Sequence, residues 1–174
     1  MDQPAYTFRP TAGHYVLAYT LVVLFWLLLI GSLERNEVIA GLVVSAIITA
    51  LMSPRLSILA GVRLSPGAPV ALLNFLAVFF AALVRSNLDM ARRVLSPSLP
   101  IRPAVVELRT GLESPLGKLL LANSITLTPG TLTIDVQGDR ILVHWIDCPP
   151  GSSIDDNTRA IAESFERHLR GFLA

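Results

Sequence analysis

The chain has 174 residues, of which 52% are hydrophobic and 16% charged, with a mean hydropathy of +0.59. That balance excludes an ordinary soluble domain, and a formal net charge of +1 without a basic face excludes a nucleic-acid partner. Its single cysteine, Cys148, cannot form an internal disulfide, so no staple holds the fold and a reducing compartment is permitted.

The uncharged run 15–33 would span about 28 Å as a helix, close to the ~30 Å hydrocarbon core of a bilayer. It reads as a transmembrane helix. Asp2 and Arg9 ahead of it and the length of the run favour a retained anchor over a cleaved signal peptide. Tyr6, Phe8, Tyr15 and Tyr19 near its start fit an interfacial aromatic belt.

A second apolar run, 38–53, ends at Pro54 and would span only about 24 Å. Three readings stay open for it: a crossing where the bilayer is thin, a crossing that uses Asn36 and Glu37 as interfacial residues, or a partly re-entrant helix against a partner. Among its small residues, Gly41 and Ser45 are candidate contacts for another membrane helix, although such residues are common in membrane helices generally. Glu34 and Glu37 at the junction could form the mouth of a cation or proton path. Hydrated residues at a helix start are the preferred reading of that pair.

Pro66 and Pro69 introduce a third run, 67–84, whose helix should continue beyond the membrane. Val84, Leu88, Ala91 and Leu95 keep one apolar stripe, while Arg85 and Asp89, then Asp89 and Arg93, sit four residues apart on another side. Asn74 is the strongly polar side chain within this run and fits an interhelical hydrogen bond better than an ion ligand. The membrane region thus covers 1–95 and a soluble part covers 96–174. Arg85, Arg92, Arg93 and Arg102 place the soluble part in the cytoplasm. Three crossings would put the N-terminus outside, which leaves Arg9, Arg55 and Arg63 on the outer side against the positive-inside rule.

Beyond the membrane region, 104–109 reads as a strand, and Ser114 followed by Pro115 as the N-cap and first position of a helix with a stripe of Leu116, Leu119 and Leu120. The stretch 119–136, LLLANSITLTPGTLTIDV, joins that helix to a strand. Pro129-Gly130 suits the central positions of a type II turn, and Leu132, Ile134 and Val136 alternate with Thr131, Thr133 and Asp135 as the buried face of the strand. A connection containing Gln137, Gly138 and Asp139 leads to a second strand, ILVHWID at 141–147. The last helix starts at Ser152 or Ser153 with a capping box. It should bury Ile161, Phe165, Leu169 and Phe172 while pairing Glu163 with Arg167 and Glu166 with Arg170 on its exposed side. The fold class is therefore an α-helical membrane half followed by a small two-layer α+β domain of order β-α-β-β-α, with a core small enough that docking would help it.

No catalytic or metal-binding constellation accompanies these elements. His144 lies far in sequence from His14 and His168, and is best read as facing the surface or a partner. Trp145 suits either an interface anchor or a core aromatic. Cys148, followed by prolines, fits a strand terminator. No cofactor is implied, and the chain reads as a non-enzyme.

The segments SITLTPGT at 124–131 and VHWID at 143–147, behind an apolar first half, resemble the E subunit of the multisubunit Mrp/Mnh-type sodium/proton antiporter. The resemblance implies an accessory, non-catalytic subunit of a plasma-membrane antiporter, with the other antiporter subunits as partners and the small F and G subunits as natural neighbours. It marks Ser124, Thr126, Thr128, Pro129, Gly130, Thr131, His144, Trp145 and Asp147 as motif and interface residues. The rival reading is a stand-alone membrane-anchored regulatory or ligand-binding module.

Overall fold

The computed structural model describes residues 9–174, so Asp2, Tyr6 and Phe8 lie outside the described residues. The chain divides into two compact units at Leu64/Ser65. The first holds helices α1, Ala12–Ile30, and α2, Arg35–Met52, followed by a 3-10 stretch, Ser53–Gly61. Thr11 caps α1 with extended backbone, and Gly31 ends it in the left-handed region at φ 65, which stops the helix three residues before the end of its apolar run. The helix α2 starts at Arg35, earlier than the apolar run, and its 18 residues reach about 27 Å.

Both helices present apolar side chains outward, among them Leu28, Phe25, Leu51 and Ile47, as helices solvated by lipid do. The unit is tied at its ends by polar groups. Trp26 Nε1 donates to the carbonyl of Glu37 at 3.2 Å. At the other end His14 Nδ1 accepts from the Thr11 N–H at 3.0 Å while Nε2 lies 3.1 Å from the Val62 carbonyl, and the Tyr15 and Ser53 hydroxyls meet at 3.1 Å.

The second unit opens with the 28-residue helix α3, Ala68–Leu95, and contains β1, Ala104–Arg109; α4, Pro115–Leu127; β2, Thr131–Gln137; β3, Arg140–Trp145; α5, Ile154–Ile161; and α6, Glu163–Leu169. By length and composition α1, α2 with its extension, and α3 are each able to cross a membrane. The three strands form an antiparallel sheet in the order β1-β3-β2. Leu108, Ile141 and Val143 of the sheet meet Leu121 and Ile125 of α4 and Leu169 of α6 in a fully buried core, each contributing about 1.5–3 kcal/mol. Ser114 caps α4 as its position suggests, accepting from the Gly117 N–H, and Ser153 with Asp156 forms the capping box of α5.

Three details differ from the sequence reading. The face of β2 that is buried carries Thr131 and Thr133, whereas Leu132 and Ile134 are each 51% exposed. The threonines turn inward and tie β2 to α4: Thr131 Oγ1 donates to Ile125 O at 2.6 Å and Thr133 Oγ1 to Ala122 O at 3.0 Å. A bulge between Thr133 and Asp135 then shifts the register. Within α4 the buried stripe is Gly117, Leu121 and Ile125, and Leu119 is exposed. The last helix is broken at Ala162, and Glu166, far from lying on an exposed side, is buried with Oε1 accepting from both Arg170 and the Gly111 N–H.

One face of α3 is covered along nearly its whole length by the α+β domain. Ala71 stands against Gly171, whose added Cβ would come within 2.8 Å of the Ala71 Cβ. Phe75 meets Phe172 at 5.9 Å between ring centroids, and Phe79 meets Phe165 at 6.3 Å. Farther on, Met90 approaches Gly130, and Arg93 reaches Asp147.

Candidate functional site at the end of the long helix

The 124–131 segment is a seam between a helix end and a strand. Ser124 is buried and its Oγ donates to Leu120 O at 2.7 Å; Thr128 Oγ1 donates to Ser124 O at 2.8 Å. Thr126 Oγ1 accepts from the Thr133 N–H at 3.1 Å. Thr131 closes the turn with an N–H to Thr128 O bond of 3.2 Å, and Gly130 within it has φ 100, as the third position of a type II turn requires. Every hydroxyl in the segment is engaged with backbone of its own domain.

The second segment meets the first across the ladder. Thr131 and Trp145 are register partners, and the Ile146 N–H donates to Gly130 O at 2.9 Å. Asp147 lies just past β3, where Oδ1 accepts from Arg102 Nε at 2.9 Å and Oδ2 from Arg93 Nη1 at 2.7 Å. The hydrogen bond from Arg102, and then the one from Arg93, holds the Asp147 carboxyl below the ordinary carboxylate range. A cavity of about 820 Å³ opens beside this cluster, between α3 and the turn, with Arg85, Asp89, Met90, Gly130, Trp145 and Asp147 in its wall. The structure thus brings Thr128, Pro129, Gly130, Thr131, Trp145 and Asp147 to one place.

His144 is not among them. It lies on the opposite, open face of the sheet, in a row with Val105 and Leu132 as register partners, and Ile134 and Leu142 extend that row into an exposed apolar surface. Gly41 and Ser45 are buried in the α1–α2 unit, Gly41 directly under the Trp26 ring. Asn74 is exposed on α3. Glu34 occupies the N-cap of α2 and is exposed, and Glu37 stands in the first turn. Among the described residues no group of three His, Cys, Asp or Glu side chains could hold a metal ion.

Nothing in the sequence marks Arg93 and Arg102 as site residues. Arg93 is visible there as the i+4 partner of Asp89 and, with Arg102, as part of a basic cluster, and its link to Asp147 spans 54 residues with no local pattern to announce it.

Residues 19–171 match the family described as "Na+/H+ ion antiporter subunit", MNHE. The chain is similar to the E1 subunit of a Na(+)/H(+) antiporter of Staphylococcus saprophyticus, with 29% identity over 157 residues covering 89% of this chain and 94% of the relative. It is also similar to the E subunit of a Na(+)/H(+) antiporter of Alkalihalophilus pseudofirmus, with 37% identity over 101 residues, 57% of this chain and 62% of that one. Among solved structures, a chain of the membrane-bound sulfane sulfur reductase, an archaeal respiratory membrane complex, superposes with a TM-score of 0.78 and 38% identity over 90% of this chain and 97% of its own.

Proposed function

The chain belongs to the family of Na+/H+ antiporter E subunits, and from that premise we propose that it is a non-catalytic assembly subunit of a multisubunit plasma-membrane antiporter exchanging sodium or another monovalent cation for protons. Its α+β domain stands in the cytoplasm and docks on other subunits, with the small F and G subunits as its neighbours. The observation that carries this reading is the use of the motif's hydroxyls: those of Ser124, Thr128 and Thr131 donate to backbone carbonyls of their own domain, and that of Thr126 accepts from the Thr133 N–H. Hydroxyls spent on holding a helix end to a strand build a surface and are not free to move an ion. Similarity to a chain from a complex described as a sulfane sulfur reductase supports a shared structural part, not a choice of transported cation.

The surface so built is the open sheet face, where Val105, Leu132, Ile134 and Leu142 stand around His144 and the carboxylates of Glu107 and Asp135, the register partners of Leu142, border them; it offers a partner subunit an apolar patch with a polar rim. Leu132→Asp tests it. Leu132 is half exposed, so the domain should fold, while the assembled complex on a native gel should decline and sodium-dependent proton flux in vesicles should decline with it. Normal assembly with abolished flux would overturn the assembly role.

A further inference from the structure

We propose that α3 lies flat in the cytoplasmic surface of the bilayer as an interfacial helix, so that the chain crosses the membrane twice, through α1 and α2, with both termini on the cytoplasmic side. Only the side assigned rests on the cytoplasmic placement in the preceding section; the orientation of the helix stands on its own geometry.

The covered face of α3 runs from Ala71, against Gly171, to Arg93, bonded to Asp147. That is about 33 Å of helix, the full thickness of the hydrocarbon core. A spanning α3 would carry the domain into the bilayer with it. Phe165 and Phe172 touch Phe79 and Phe75, in the middle and first half of the apolar run, and the C-terminal segment that delivers them bears Glu163, Arg167 and the Glu166–Arg170 pair. Charged side chains and a sheet with an open edge do not belong in hydrocarbon. The domain's position excludes the crossing that length and composition alone permit.

The uncovered face shows what replaces it. Val70, Leu73, Phe80, Val84, Leu88 and Leu95 are all exposed and recur on the side opposite the Phe75 face, with no charge among them. Arg85 and Arg92, seven residues apart, flank this stripe, and with Phe80, Val84 and Leu88 they line a groove of about 620 Å³. An apolar stripe edged by exposed arginines is complementary to acyl chains under anionic headgroups. The same placement eases a conflict in charge: with two crossings Arg9, Arg55, Arg63, Arg85, Arg92 and Arg102 share one side, and the other keeps a single arginine, Arg35, between Glu34 and Glu37.

The test uses the assembled complex in liposomes with a Cys148→Ser background and a nitroxide attached at Leu73, Phe80 or Leu88 in turn. These positions lie on the apolar stripe over about 22 Å of helix. Depth is read from the relative relaxation by oxygen and by a water-soluble nickel chelate. The flat helix gives three similar depths, each about 5–10 Å into the headgroup and acyl boundary. A depth that passes through the bilayer midplane from one label to the next overturns the proposal, and so does exclusion from both reagents, which would mean that a partner helix covers the stripe. Epitope tags ahead of Thr11 and after Ala174 give a second reading in intact cells. Both protected from outside is the expected result; tags on opposite sides overturn the two-crossing path. Both tags accessible would overturn the cytoplasmic side, and with it the placement of the domain, while the labels report the orientation of α3 separately.

Discussion

Arg93 Nη1 donates to Asp147 Oδ2 at 2.7 Å, joining the last turn of α3 to the end of β3 across 54 residues of chain. The same guanidinium donates to Asp89 and to the Pro100 carbonyl, each at 2.7 Å, and the same carboxylate accepts from Arg102. Asp147 is therefore a clamp: it bridges two arginines and fixes the chain that leaves the long helix against the sheet it is about to enter. With its side chain 21% exposed, the pair is screened less than a surface ion pair.

Asp147→Asn should lower the stability of the purified complex by about 1–2 kcal/mol, since charge-assisted hydrogen bonds are replaced by neutral ones. The pH dependence follows from the sign of the shift. A carboxyl whose folded pKa is depressed stabilises above its ordinary value and loses that contribution as pH falls through the depressed folded value. Thermal melting of the wild type should therefore decline on acidification below the ordinary Asp range, and the Asn variant should lack that part of the decline. Equal acid sensitivity in both proteins would remove Asp147 as its source.

Gly130→Val should destabilise the turn that begins β2. Gly130 holds φ 100, and an added Cβ would lie 3.2 Å from Ile146 Cγ2 and 3.5 Å from Met90 Cε. A β-branched residue in that conformation costs on the order of 1–3 kcal/mol, a large share of what so small a domain has. The amount of assembled antiporter should fall, with flux per assembled complex unchanged. Loss of flux at full assembly would give the turn a direct part in transport.

Gly41→Ala should disrupt the α1–α2 pair in a way that Trp26→Ala relieves. The added methyl would sit 2.5 Å from Trp26 Cδ1, and a rigid indole cannot retreat without losing the Nε1 bond to the Glu37 carbonyl. Thermal stability of the complex measured over both single variants and the double should show positive coupling of about 1 kcal/mol. Additive losses would mean that the two residues do not share a contact.

Replacing Glu34 and Glu37 by Gln together should leave sodium-dependent proton flux in vesicles close to wild type. Glu34 is an exposed N-cap and Glu37 stands in the first turn of α2, where a carboxylate serves the helix dipole. Assembly should change little, within about 0.5 kcal/mol of stability. Abolished flux in a fully assembled complex would make the pair the mouth of an ion path.

What could be read locally was right where the cause is local. Hydrophobic length marked three helices able to cross a membrane, Ser114-Pro115 and Ser153 with Asp156 opened helices where their capping chemistry requires, and Pro129-Gly130 formed the turn that a positive φ demands. The family resemblance also lay in contiguous residues, and the match over 19–171 confirms it. Each of these depends on groups a few positions apart.

Which face of an element is buried depends on what lies across from it, and that is where only the tertiary structure decided. Alternation along β2 named Leu132 and Ile134 as the inner face, yet the alternating Thr131 and Thr133 turn inward, where their hydroxyls donate to the α4 carbonyls of Ile125 and Ala122. Apolar length identified α3 as a membrane helix, but length is blind to the partner on its other side. The contacts of Phe75 with Phe172 and of Phe79 with Phe165 come from nearly a hundred residues away, and they leave the opposite stripe, from Val70 to Leu95, as the face free to meet lipid. Periodicity specifies that a helix has an apolar face; the fold determines what that face touches, because burial is a property of two surfaces and the sequence of one segment describes only one of them.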